Sequence, residues 1–279
     1  MSGLVSVVVP VYNGMPHLRD LVDSLLAQDY PELEIVFAET GSTDGSAEFL
    51  ATIDDPRVRV VPGAPGAAAN WDAACRAANG RYIKLVCQDD LLSPDAVSKQ
   101  AGDLDVYASA VMACAQRDIV DANGEVLYAA RGTQGLKAGI VAGTDVIRAC
   151  YLQGTNVIGE PLSVLFRRDD LLASLPWEDH NPLMLDVMMY AKVAPRGDMV
   201  VRKESVGAFR VSTSSWSTRL AKVQLQQFRQ WQDEYVAAQD AAPSAAQRAR
   251  AAAGVRLQAG LRRGAYAWLR MKGSFHSEA

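Results

Sequence analysis

Three groups of residues stand out by type and spacing. Asp89 and Asp90 are adjacent and directly follow the apolar run Ile83–Cys87. Neighbouring carboxylates repel each other, and a divalent cation relieves the conflict. Hard oxygen ligands favour Mg²⁺ or Mn²⁺, shared with a diphosphate. The alternative is a pair capping the helix after Ser93-Pro94, which Ser93 can cap unaided. Glu39 ends an apolar run and precedes Thr40-Gly41-Ser42-Thr43-Asp44-Gly45. It caps nothing obvious, and a carboxylate there can accept hydrogen bonds from a nucleobase imide or a ribose hydroxyl. Ser42 and Thr43 suit helix capping equally well. Asp186 is a lone acid within Met184-Leu185-Asp186-Val187-Met188. Apolar surroundings raise a carboxyl pKa, which suits a general base; a place on the helix's solvent face is the alternative. Glu178 and Asp179 compete for that task.

The elements that must position these groups alternate. Leu4–Val9, Leu33–Ala38, Arg57–Val61 and Tyr82–Cys87 are apolar runs of strand length. Between them, His17–Gln28, Gly45–Ile53 and Ala67–Asn79 carry helical apolar spacing. Strand–helix alternation predicts a mostly parallel sheet covered on both faces, with ligands beyond the carboxyl ends of the strands. Pro10–Asn13, Glu39–Gly45, Pro62–Asn70 and Gln88–Leu91 fall at those ends. Further on, Asp121-Ala122-Asn123-Gly124 predicts a hairpin turn between Val111–Val120 and Val126–Ala130. Leu183–Val193 reads as a helix, Val200–Val201 and Val206–Val211 as two short strands, and the chain from Trp216 as helical with a break at Ala242-Pro243-Ser244.

The 279 residues carry a net charge of −4, unevenly spread. Ser244–Ala279 holds seven Lys or Arg and one acid, which leaves the rest at −10. An acidic body argues against nucleic-acid binding. Four cysteines without a CxxC pair, and only three histidines, argue against structural zinc and for buried thiols in a reducing compartment. Neither a signal-peptide pattern nor an apolar run of about 20 residues occurs. The expectation is a cytoplasmic protein without a transmembrane segment, with peripheral contact at a membrane surface as the second option.

The chain resembles the inverting family-2 glycosyltransferases with the GT-A fold. The resemblance is carried by Val8-Val9-Pro10-Val11-Tyr12-Asn13, Gly41-Ser42-Thr43-Asp44-Gly45-Ser46, Asn79-Gly80-Arg81-Tyr82-Ile83 and Gln88-Asp89-Asp90-Leu91-Leu92-Ser93-Pro94. It is strong from Val5 to about Asp95, weaker to about Ser217, and absent beyond. It implies an α/β three-layer αβα sandwich with a mostly parallel central sheet. Residues 1–97 would form the donor-binding half and 98–216 the acceptor-binding, base-bearing half of one domain, with 217–279 as a C-terminal helical extension. Pro10, Tyr12 and Glu39 would line the nucleoside pocket, with Asn13 and Asn70 among the donor contacts. Asp89 would ligate the metal, Mg²⁺ or Mn²⁺, with Asp90 beside it. Asp186 would deprotonate an acceptor hydroxyl that displaces the nucleotide with inversion, through an oxocarbenium-like transition state.

The family pattern is not kept everywhere. The second acid after strand two is Thr40, the Asp-x-Asp motif reads Cys87-Gln88-Asp89, and the acid before the base is Leu185. The distal Tyr-Arg-x-His pattern reads Phe209-Arg210-Val211-Ser212, so Arg210 or Ser212 would replace a histidine on the donor diphosphate. Among aromatic residues that could stack on a sugar (Trp71, Tyr151, Trp177, Trp216), Trp177 is the best placed, although core packing is the commoner fate. Glu160 and Asp179 are candidate acceptor contacts.

Arg248, Arg250, Arg256, Arg262, Arg263, Arg270 and Lys272 make the C-terminal helix basic beside Leu257, Leu261, Ala265 and Trp268. That helix would pack on the acidic body, form a homodimer, cover the acceptor site or touch a membrane. The expected partners are a nucleotide-sugar, with UDP- or dTDP-sugars favoured, and a glycan, lipid-linked or small-molecule acceptor. A sugar nucleotidyltransferase is the alternative enzyme, disfavoured because Pro10-Val11-Tyr12-Asn13-Gly14 is no Gly-rich basic phosphate loop. A nucleotide-sugar binding protein without catalysis is the third reading.

Overall fold

A computed structural model describes residues 3–211 and 223–271. Ser212, Trp216 and Lys272 lie outside these, as do the side chains of Trp268 and Arg270. The first strand, β1 (Val5–Val11), is buried at every position, as a strand covered by helices on both sides must be. Helix α1 (Leu18–Leu26) follows and buries the stripe Leu18, Leu21, Val22 and Leu25. Next come β2 (Leu33–Glu39), α2 (Ser46–Leu50), β3 (Val58–Pro62), α3 (Ala67–Arg76) and β4 (Tyr82–Leu85). The short β5 (Leu91–Leu92) and α4 (Ala96–Val106) lead into β6 (Ala110–Val120), β7 (Val126–Arg131), β8 (Gly139–Ala142) and α5 (Gly143–Gln153). The rest of the sheet comes from β9 (Val164–Arg167) and β10 (Asp198–Arg210), separated by α6 (Arg168–Leu172) and α7 (Leu185–Val193). Helices α8 (Gln224–Ala237) and α9 (Ala245–Met271) close the described chain.

The ten strands form one sheet in the order β3-β2-β1-β4-β9-β6-β10-β5, with β7 on β6 and β8 on β10. Six strands run one way; β5, β7, β8 and β9 run the other. Val11 pairs with Glu39 and Glu39 with Pro62, which brings the carboxyl ends of the first three strands to one edge. Alternation along the strands builds two cores. Val5, Val7, Val9, Ile35 and Phe37 meet α1 and α4 on one face. Val8, Val36, Ile83 and Leu85 meet α3, α5, α7 and the C-terminal helices on the other. The result is the expected αβα sandwich.

Three local expectations change. The two short strands near Val200 and Val206 are one thirteen-residue strand, β10, bent by register shifts against β6. Strands β5 and β8 are too short to show a periodic pattern. The basic helix α9 packs inside the chain through Ala251 and Val255 against α5 and α8. Gly154 permits that approach: it ends α5 at φ 64°, and a side chain there would strike the backbone of Gly254 and Val255. The outer face of α9 keeps Leu257 and Leu261 63% and 58% exposed. Among the described residues no helix is long and apolar enough to cross a membrane.

Candidate active site

The loops after β1 and β2 are stitched together by side chains that bond to backbone. Glu39 Oε2 accepts from Gly41 N–H at 2.9 Å and Oε1 from Ser42 N–H at 2.6 Å. Glu39 caps no helix; it ties the start of its own loop. Asn13 stands at φ 51°. Its N–H donates to Ser42 Oγ at 2.9 Å, and its Oδ1 accepts from Thr43 N–H at 2.8 Å. Gly14 N–H reaches Ser46 Oγ at 2.9 Å and Met15 N–H reaches Asp44 Oδ2 at 2.8 Å. Burial pushes the Glu39 and Asp44 carboxyls up, yet the bonds donated to them outweigh it and hold both below the ordinary carboxylate value. Asn70, buried on α3, donates to Ala38 O at 3.1 Å and Val11 O at 3.4 Å and accepts from Ala64 N–H at 3.2 Å. It thus joins the ends of β1, β2 and the loop after β3. Pro10 is buried within β1, while the Tyr12 ring is 60% exposed at its end.

The β4–β5 loop carries the paired acids. Asp89 is half-buried and Asp90 wholly buried. Asp90 Oδ1 accepts from Arg210 N–H at 3.4 Å, and its Oδ2, although enclosed, has no hydrogen-bond partner. Burial first, then the charges of Asp89 and Glu160, push the Asp90 carboxyl well above its ordinary value. Arg210, expected on the donor diphosphate, is 2% exposed. Its guanidinium donates to Asp89 O at 3.0 Å and Ala122 O at 2.8 Å and pairs with Asp20 at 3.1 Å. These bonds brace the acidic loop. Behind the loop, the buried Lys84 donates to Gln100 Oε1 at 2.6 Å and to Leu162 O. Burial lowers its pKa to about 7, against the pull of Asp90.

The third group comes from the other half of the chain. Asp186 is half-buried in the first turn of α7. Its Oδ1 accepts from Val187 N–H at 2.7 Å and its Oδ2 from Asn156 Nδ2 at 2.8 Å. Burial, then the charge of Glu160, raise its pKa to about 7. Glu160 pairs with Arg117 and follows Gly159, whose φ of 114° and closeness to Ser163 Oγ admit no side chain. Glu160 acts electrostatically on both Asp90 and Asp186, and the half-buried Cys87 thiol feels Asp90, Asp89, Asp186 and Glu160. Charges from both halves of the chain thus act on the Cys87 thiol.

The two other expected acceptor contacts differ in exposure. Trp177 is 4% exposed and packs edge-on against Trp71, with ring centroids 4.9 Å apart; it is core, not a sugar platform, because its loop turns inward where Asp72 accepts Trp177 N–H at 3.0 Å. Asp179 is solvent-exposed on the loop between α6 and α7. Sequence reading missed Gln88, Asn156 and Arg117. Gln88 joins the β1 and β4 ends, Asn156 holds Asp186, and Arg117 holds Glu160. A signal existed for Gln88, an amide where the resemblance expects the middle of an acidic motif.

Residues 6–158 match the family described as glycosyl transferase family 2. Glycosyltransferase GlyG of Streptococcus pneumoniae is 38% identical over 101 residues, which is 35% of this chain and 34% of that protein. An uncharacterized glycosyltransferase of Rickettsia bellii is 32% identical over 130 residues, 45% of this chain and 19% of that one. The chain thus spans only about a fifth to a third of these relatives' lengths. Staphylococcus aureus TarS 1–349, in complex with UDP-GlcNAc, matches with TM-score 0.62 at 16% identity over 80% of this chain and 66% of that one. The mannosyltransferase PcManGT of Pyrobaculum calidifontis, in complex with GDP-Man and Mn²⁺, matches with TM-score 0.59 at 18% identity over 97% and 81%. At such identities the likeness speaks to the fold alone. With a match over more than half of its length and a three-layer αβα architecture, the chain belongs to glycosyltransferase family 2 and has the GT-A fold.

Proposed function

We propose that the protein transfers a sugar from a nucleotide-diphosphate donor, a UDP- or dTDP-sugar, to an acceptor hydroxyl with inversion, and that Asp186 is the general base. The observation that carries this reading is Asp186 itself. It is an acid whose pKa is raised to about 7 by burial and by the charge of Glu160, which also acts on Asp90 in the β4–β5 loop. A base poised near neutral pH is half-ionised when it must take a proton. Asn156 and Val187 N–H fix its two oxygens and so the direction from which it accepts a proton.

The donor's nucleoside would lie along Pro10, Tyr12, Asn13 and Glu39, with Asn70 setting the loops that frame it. Asp89 would hold a Mg²⁺ or Mn²⁺ ion, and the unpartnered Oδ2 of Asp90 is the second candidate ligand. Hard oxygen donors on one short loop fit such an ion, which takes one or two carboxylates and completes its shell with substrate phosphates. Bound there, it would offset charge growing on the departing diphosphate. Arg210 supports the same end by bracing Asp89 O. Glu160, anchored by Arg117, would accept from a sugar or acceptor hydroxyl.

The decisive experiment measures donor hydrolysis and transfer with and without Mn²⁺ or Mg²⁺ across UDP- and dTDP-sugars. Metal-dependent turnover that Asp186→Asn abolishes while donor binding persists supports the reading. Tight donor binding without turnover over a broad acceptor panel replaces it with a binding protein.

A further inference from the structure

The backbone of Tyr12 is held by one side chain. Gln88 Oε1 accepts from Tyr12 N–H at 2.8 Å, while Gln88 Nε2 donates to Tyr12 O at 2.9 Å and to Asn13 O at 3.3 Å. These bonds continue, by side chain, the pairing of β1 with β4, whose ladder ends at Val8 and Leu85. A carboxamide presents donor and acceptor on one planar head. A carboxylate would accept from Tyr12 N–H but turn an unprotonated oxygen on two carbonyls. Gly14 lies against the amide, and a Cβ there would meet Gln88 Cδ and Oε1 at 3.1 Å. The fit leaves the amide little freedom, although the loop around it is exposed. Tyr12 follows the last residue of β1 and is 60% exposed.

We infer that Gln88 is a positioning residue for donor binding: by clamping the Tyr12 backbone from both sides it holds the ring as a flat platform for the nucleobase. The inference rests on the donor reading of this cleft. Gln88 acts through Tyr12 and not on the reacting atoms, so its loss removes binding common to ground and transition states. Such a loss raises KM and leaves kcat nearly as it was.

The test titrates UDP and dTDP, each with Mn²⁺, into wild type, Gln88→Met, Tyr12→Ala and the double variant, and follows UDP-sugar hydrolysis in each. Met keeps the length and removes donor and acceptor. Gln88→Met is expected to weaken nucleotide binding about tenfold, through the loss of all three exposed hydrogen bonds. KM should rise by the same factor, with kcat changed less than about twofold. In the Tyr12→Ala background the Gln88 change should add nothing, since coupled residues are non-additive. Gln88→Glu, which keeps the acceptor and loses the donor, should also weaken binding and serves if the Met variant does not fold. Unchanged affinity in these variants, or a full additional loss without Tyr12, overturns the inference. Wild type that binds neither UDP nor dTDP overturns the donor reading itself.

Discussion

Four acids in two regions of the molecule are treated in opposite ways by their surroundings. In the loop after β2, Glu39 and Asp44 sit near the surface among backbone N–H and hydroxyl donors, and their pKa values fall below the ordinary carboxylate value. In the β4–β5 loop and at the start of α7, Asp90 and Asp186 sit deeper, under the charge of other acids, and their pKa values rise. The lesson is that the partners of a carboxyl assign its work. Where loops supply N–H groups, an acid serves as a permanent staple. Where burial and like charge dominate, it keeps a proton within reach of neutral pH.

The sharpest way to break this comparison is to remove the proton acceptor. Asp186→Asn should lower transfer by about 10³-fold, within the span of general-base effects, with donor affinity by calorimetry unchanged within about twofold. A variant that keeps its rate would end the assignment. Asp89→Ala should cost roughly 10²-fold in kcat/KM and erase the response to added Mn²⁺. Asn156→Ala should cost about tenfold in kcat, as positioning groups near reacting atoms do. Because the Asn156 bond holds the Asp186 pKa down, the rise of rate with pH, expected near pH 7 in wild type, should move to higher pH in that variant.

The smallest effects have opposite signs in the two regions. Glu39 is depressed in the folded state, so its stabilisation is present above the unfolded value of 4.5 and is lost as pH falls through the folded pKa. Glu39→Gln should lower Tm at pH 7 by about 2–4 °C, and the gap should close in acid. Asp186 is raised, so folding loses stability as pH climbs from 3.8 toward about 7. Asp186→Asn should therefore raise Tm at pH 8 by about 2–4 °C. Melting curves across pH that show one sign for both variants would dissolve the contrast.

Much of the architecture was legible in the sequence because apolar periodicity is local. The β1–α1–β2 unit, the hairpin at Asp121–Gly124 and the helix around Asp186 lie where their spacing puts them. What was not legible depends on partners far along the chain. Nothing near Arg210 says that its guanidinium will meet Asp89 and Asp20, and nothing near Trp177 says that Trp71 will cover it. Glu39 looked idle as a cap because its partners, Gly41 and Ser42, serve the loop and not a helix. Asn156 gave no signal because its role depends on a partner thirty residues away: its Oδ1 accepts from Ile158 and Gly159 N–H while its Nδ2 reaches Asp186.

The antiparallel strand β9 pairs with β4 through Tyr82–Arg167 and Ile83–Phe166, and with β6 through Met112–Phe166. It is the zip between the segment that would hold the donor and the segment that would choose the acceptor. Anyone recombining these segments between relatives must carry β9 with the piece that keeps β4, or leave that strand as a bare edge open to foreign chains. A crossover placed at the obvious break, near Ser93-Pro94, would cut across this seam; a viable chimera has to rebuild the Tyr82 and Phe166 contacts first.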